Sequence, residues 1–179
     1  MNAIQTGELP PLALLRHYQV QRAFTDCYFV DVPGVVGHAR FVEAFYTTPV
    51  FKVERFILRW LARKPSSDQQ ARELATGARD RFAAWTVEAR AADQLLMRDF
   101  MGRTRSWLMC AESPQAGPTR TRLYFGSAVV PHHASASGQG RLNGLFRALM
   151  GFHRLYSRVL LRAAVSRLQA NPPISGEPT

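Results

Sequence analysis

Runs of apolar residues change period several times along the chain, and each change marks an element. Asp26 to Val32 is dense in aromatic and β-branched residues and ends at Pro33-Gly34, which predicts a strand followed by a turn. Phe41, Val42 and Phe45 then recur at helical spacing and predict a helix from His38 to Tyr46. Thr48-Pro49 opens a second helix, with Thr48 as N-cap and proline at the first helical position. Its apolar side runs Val50, Val53, Ile57, Trp60, Leu61, and Lys52, Arg55, Arg59 and Arg63 form a basic stripe before Pro65 stops it. Ser67 with Gln70 reads as a capping box for a third helix reaching toward Arg79, with Asp68 placed against the helix dipole.

Beyond Arg81 the pattern becomes strand-like. Phe82–Arg90, Gln94–Asp99, Arg103–Ala111 and Thr121–Val130 are each strand-length. The connections are Ala91-Ala92-Asp93, a turn at Met101-Gly102 and a proline-rich loop at 113–118. Links this short require antiparallel neighbours. Several of these strands are apolar on both sides, so their inward face stays open. After a polar loop at 132–140, a long helix is predicted from Asn143 to Gln169. Leu145, Leu149, Phe152, Tyr156, Leu160 and Ala163 share one side, and Arg147, Arg154, Arg158 and Arg162 the other. Residues 1–24 read as a loosely attached segment with a short helix around Leu12–Phe24, 25–169 as one domain, and 170–179 as a disordered tail. Strands and helices grouped separately indicate an α+β fold: an antiparallel sheet with a helical insert after its first strand, covered by the C-terminal helix.

Composition adds limits. A chain of 179 residues with 46% hydrophobic residues can bury a full core without disulfide or metal. Cys27 and Cys110 lack ligand-like spacing and read as free, buried thiols. Glu8, Pro10 and Pro11 interrupt the first apolar run, so no signal peptide is expected and the expected compartment is the cytoplasm. The net charge of +10 is unevenly spread: no acidic residue falls between Glu112 and Glu177, an interval holding eight arginines. Arginine outnumbers lysine 21 to 2, which either reflects genomic composition or serves anion recognition.

Several runs carry a resemblance. Asp26-Cys27-Tyr28, Phe45-Tyr46-Thr47-Thr48-Pro49-Val50-Phe51, Arg103-Thr104-Arg105-Ser106-Trp107-Leu108, Leu123-Tyr124-Phe125-Gly126-Ser127-Ala128 and Phe152-His153-Arg154-Leu155-Tyr156-Ser157 resemble a bacterial family of unknown function. That family is grouped with the helix-grip superfamily of START-like and polyketide-cyclase-like proteins. The resemblance spans about residues 26–166 and carries no catalytic signature. It implies a cavity between sheet and final helix, where such proteins hold lipids, polyketides or other apolar molecules. It does not imply an activity.

Familiar chemistry is sparse. Gly126-Ser127-Ala128 lacks the second glycine of a nucleophile elbow and lies within a strand. Gly138-Gln139-Gly140-Arg141-Leu142-Asn143-Gly144 misses the dinucleotide spacing. His132 and His133 are adjacent and point apart on an extended chain, and His17, His38 and His153 are scattered, so no metal and no cofactor are expected. The candidate lining residues of a cavity are Trp85, Trp107, Tyr124, Ser127, His153 and Tyr156, with Arg105 as an anchor for an anionic group.

Three functional readings follow from the sequence. The first is binding of a small hydrophobic or lipid-like molecule between sheet and C-terminal helix. The second is a cyclase or dehydratase in the same cavity, with His153, Tyr124 or Glu88 moving protons. The third is a basic module whose arginine stripes dock on an anionic membrane surface or an acidic partner. Nucleic acid is not an expected partner, because no recognition motif accompanies the charge.

Overall fold

The computed structural model describes residues 3–53, 66–114, 119–130 and 139–171, with side chains of the last helix described from Leu155 onward. Arg55, Arg59 and Arg63, the loop at 132–138, the tail beyond Asn171, and the side chains of Arg147, His153 and Arg154 lie outside the described residues.

The elements run β1 (Gln5–Thr6), α1 (Arg16–Val20), β2 (Phe24–Pro33), α2 (His38–Tyr46), a helical stretch at 49–53, α3 (Asp68–Ala75), β3 (Arg81–Phe82), β4 (Trp85–Ala91), β5 (Gln94–Asp99), β6 (Thr104–Glu112), β7 (Arg120–Val129) and α4 (Gln139–Ala170). This is a mixed α+β fold. Its seven strands form one sheet in the order β1-β2-β7-β6-β5-β4-β3, every neighbouring pair antiparallel. Among the described residues no helix is long and apolar enough to cross a membrane.

Local chemistry explains the helix starts. The Thr48 hydroxyl accepts from the Phe51 amide at 3.1 Å, capping the stretch that Pro49 begins. Ser67 Oγ accepts from the Gln70 amide at 3.2 Å while Gln70 Oε1 accepts from the Ser67 amide at 3.1 Å, a closed capping box. α3 stops at Ala75, short of the expected Arg79, because Gly77 adopts a left-handed φ of 83° that ends the helix. The expected strand Phe82–Arg90 is broken as well. Ala83 takes φ 51°, and the two-residue turn Ala83-Ala84 brings Phe82 opposite Trp85.

The sheet is covered on both faces. On one, Tyr28, Val30, Phe82, Leu95, Met97, Leu108, Leu123 and Phe125 meet α2, α3 and the C-terminal half of α4. Aromatic rings fill the space under α2: Phe45 lies 4.9 Å from Phe125, and Tyr46 lies 4.9 Å from Phe51 and 5.3 Å from Phe82, centroid to centroid. Leu160, Leu161, Ala164, Val165 and Leu168 close this layer from α4.

The opposite face is covered by the N-terminal segment, which corrects the expectation of loose attachment. Leu9, Ala13, Leu15 and Tyr18 are buried against Cys27, Leu96, Trp107, Met109 and Ala128. The helix there is only Arg16–Val20, since Phe24 already belongs to β2. Two buried faces account for strands that are apolar on both sides.

Candidate functional site

A half-open groove of about 490 Å³ lies where α4 passes the β1–β2 edge of the sheet. Ala3, Ile4, Val30, Leu155, Val159 and Val165 make its walls, and Arg158 and Arg162 are its charged lining residues. The volume is in the range that holds small ligands. Its position follows from sheet order. β1 is two residues long, so the edge beside β2 is only partly covered, and α4 crosses there with Leu155 and Val159 left 63% and 41% exposed. These two large apolar side chains lie one helical turn apart and form a continuous apolar strip on α4.

The two arginines are electrostatically unspent. Among the described residues no acidic side chain pairs with either, although ion pairs do form elsewhere. Arg158 donates through Nη2 to the Thr6 hydroxyl at 3.0 Å, and its guanidinium carbon lies 5.5 Å from the Tyr28 ring centroid. Both contacts orient the guanidinium at the sheet edge without neutralising it.

The residues predicted to line a cavity do not converge. Trp85 and Tyr156 are partly buried against the helix-side core. Ser127 belongs to the same face, two positions beyond Phe125, and its hydroxyl donates to Asp26 Oδ1 at 2.5 Å. Trp107, Tyr124 and Arg105 lie on the other face, beneath or beside the N-terminal segment. They therefore line no space between sheet and final helix, and the reason is the parity of β6 and β7. Leu108, Leu123 and Phe125 take the helix side, which sends their alternate neighbours to the opposite one.

Glu88 is likewise displaced. A register shift between Val87 and Ala89 turns it toward the N-terminal segment. There Tyr18 donates to Glu88 Oε1, and Arg105 Nε stands 2.7 Å from the Tyr18 oxygen and 2.8 Å from Glu88 Oε2. Burial, and then the bond to Glu88, push the Tyr18 phenol above its ordinary value. This triad fastens the segment to the sheet; it leaves Glu88 and Tyr124 outside any cavity beneath α4. A second fastening is Gln94, whose Oε1 accepts from Trp107 Nε1 and from the Leu14 amide, each at 2.9 Å. Its Nε2 donates to the Leu12 carbonyl at 3.0 Å. The sequence reading missed Tyr18 and Gln94; a lone glutamine at the first position of an apolar strand was the available signal.

Other candidates resolve individually. Lys52 is tied to Asp68 by an ion pair of 2.6 Å, so its charge is matched locally. Burial pushes both thiols up to about 12, aided by Asp26 at Cys27 and by Asp93 at Cys110, which removes them from nucleophilic chemistry near neutral pH. Burial also holds the His38 imidazole below its ordinary value. No family model matches the chain, and no curated protein matches it.

Proposed function

We propose that this chain is a binding protein of helix-grip type for a small apolar molecule bearing one anionic group. The molecule lies in the groove between α4 and the β1–β2 edge. The carrying observation is the pairing of six apolar lining residues with two guanidinium groups that no described carboxylate neutralises. An apolar tail gains by leaving water along Ile4, Val30 and Val165, and a carboxylate or phosphate gains a charge-assisted bond from Arg158 or Arg162. The element order from β2 onward supports the helix-grip reading: a long strand, a helical insert, an antiparallel run and a long closing helix. Of the acid–base candidates for the cyclase or dehydratase alternative, Glu88 and Tyr124 occupy the face away from α4, and the His153 side chain lies outside the described residues.

The test is native mass spectrometry of the protein purified from its expression host, followed by denaturation and identification of what is released. Titration with the fluorescent fatty acid cis-parinaric acid completes it. A stoichiometric apolar passenger, or saturable parinaric acid binding that Val159→Arg abolishes, is the expected result. An apo mass together with no saturable binding would overturn the reading.

A further inference from the structure

The turn between β5 and β6 presents Phe100 and Met101 to solvent, 60% and 53% exposed. Among the exposed large apolar residues described they are the one pair adjacent in sequence. The turn beneath them is firmly built. Asp99 Oδ1 accepts from the amides of Arg103 at 2.7 Å and Thr104 at 3.2 Å. The Gly102 amide donates to the Asp99 carbonyl at 3.0 Å, and the Gly102 carbonyl accepts from Arg105 Nη1 at 2.8 Å. Gly102 supplies the left-handed φ of 70° that the turn requires. Two large apolar side chains are thus held outward on an ordered support, and among the described residues they stay more than half exposed.

Cations outnumber carboxylates around the tip. Arg98 and Arg103 flank it in sequence and are exposed, and Arg81 faces Thr86, which in turn faces Arg98 across β4. Among the described residues none of the three is in an ion pair. Two carboxylates lie beside these arginines: Asp99 is turned onto the turn's own amides, and Asp80, next to Arg81, pairs with Arg90 at 3.4 Å. A groove of about 450 Å³ runs between this turn and the adjacent Ala83-Ala84 turn, lined by Arg81, Trp85, Arg98, Phe100 and Met101 among others.

We propose that this end of the sheet docks on an anionic lipid surface, with Phe100 and Met101 entering the acyl boundary and Arg81, Arg98 and Arg103 meeting the headgroups. Two exposed apolar side chains offer little of the roughly 800 Å² per partner that a stable protein interface buries. A lipid surface is laterally continuous and engages both side chains and all three arginines together. Arginine stems lie along the apolar boundary while their heads stay in water. The surface is separate from the groove, which sits at the β1–β2 edge of the sheet.

The experiment is co-sedimentation of the full chain with vesicles of phosphatidylcholine alone and of phosphatidylcholine mixed with phosphatidylglycerol. It compares wild type, Phe100→Ser/Met101→Ser, and Arg98→Gln/Arg103→Gln. All four positions are exposed, so circular dichroism and thermal midpoints should match wild type and confirm folding. The expected result is binding to the mixed vesicles that falls by about tenfold or more in the serine double variant. The glutamine double variant is expected to weaken binding to mixed vesicles and leave any binding to pure phosphatidylcholine unchanged. Failure of the wild type to sediment with mixed vesicles, or equal sedimentation of the serine variant, would overturn the proposal.

Discussion

Asp31 and Arg122 face each other directly across the β2–β7 ladder and form a two-point ion pair, with Nε 2.7 Å from Oδ1 and Nη2 2.7 Å from Oδ2. Asp31 is buried, with a side chain only 3% exposed, and the Arg122 guanidinium also stacks 4.3 Å over the Phe29 ring. Because β2 and β7 are long and their register extends from Phe24–Val129 to Pro33–Arg120, the pair sits where a slip by one residue would bury an uncompensated charge.

Removing one partner therefore exposes the full cost of the other. Asp31→Asn is expected to lower unfolding free energy by about 3 kcal/mol near neutral pH, leaving Arg122 half-buried and unmatched. The bond to Arg122 holds the Asp31 carboxyl below its ordinary value of 3.8, with burial opposing and Ser113 and Arg120 assisting. A depressed folded-state value means that this stabilisation is complete above the unfolded value and fades as pH falls through the folded one. Urea unfolding of wild type and variant should thus converge as pH drops below about 4. A deficit that stays constant into acid would show that packing, not charge, had been lost.

The Tyr18 hydroxyl is one of the fastenings of the N-terminal segment, bridging Glu88 and Arg105. Tyr18→Phe keeps the ring under the Arg105 guanidinium, 4.7 Å from it, and removes only the bridge. The expected cost is about 1–2 kcal/mol, concentrated in local opening. Amide hydrogen exchange at residues 9–20 should accelerate while α2 and β7 change little. The raised phenol value gives the pH sign: the bridge is intact below the ordinary value of 10 and is lost as pH rises through the higher folded one. Unchanged protection in the segment would assign its attachment to Leu9, Leu15 and Gln94 instead.

Much of the architecture was legible because local signals agreed with the tertiary environment. The helix at His38–Tyr46 and the strand at Gln94–Asp99 appear with the bounds that apolar spacing implied, and the Ser67–Gln70 capping box closes as read. What was not legible depended on partners distant in sequence. The turn at Ala83 uses a left-handed conformation without glycine, so nothing in the residues marked it. The bulge at Glu88 shifted one side chain to another face, and no local residue encodes that. The face of Trp107 and Tyr124 was undecidable from alternation, since Arg105 to Cys110 are all buried beneath two covering layers. The groove depends on the shortness of β1, a pairing of two residues that leaves almost no pattern.

Gly126 shows the same tight fit at the centre of the N-terminal face. A β-carbon there would lie 2.8 Å from the Asp26 carbonyl, 2.9 Å from Leu15 Cδ2 and 3.0 Å from Trp107 Cε3. Gly126 also faces Trp107 across β6–β7 and Cys27 across β2–β7, so the indole occupies the space that a side chain would take. Gly126→Ala must therefore push backbone, Leu15 or Trp107, at a cost of about 1–3 kcal/mol. Thermal unfolding measures the loss, and a displaced Trp107 should appear as a shifted near-ultraviolet circular dichroism band. A variant as stable as wild type would mean that the N-terminal segment packs less closely than these distances require.

Arg158 offers the sharpest separation between a ligand-binding and a purely structural role. It joins the groove to the N-terminal segment through Thr6 and to the sheet through Tyr28, so its loss alone could loosen the site without any ligand being involved. The charge of the ligand distinguishes the two cases. If Arg158 holds an anionic head, Arg158→Gln should weaken binding of cis-parinaric acid by about tenfold, the scale of one charge-assisted hydrogen bond. Binding of the methyl ester, which keeps the chain and loses the charge, should barely change. If Arg158 only braces the edge, acid and ester will weaken together. Arg162→Gln read in the same way shows whether the head group meets one guanidinium or two, because a shared anion makes the double variant lose less than the sum of the single losses.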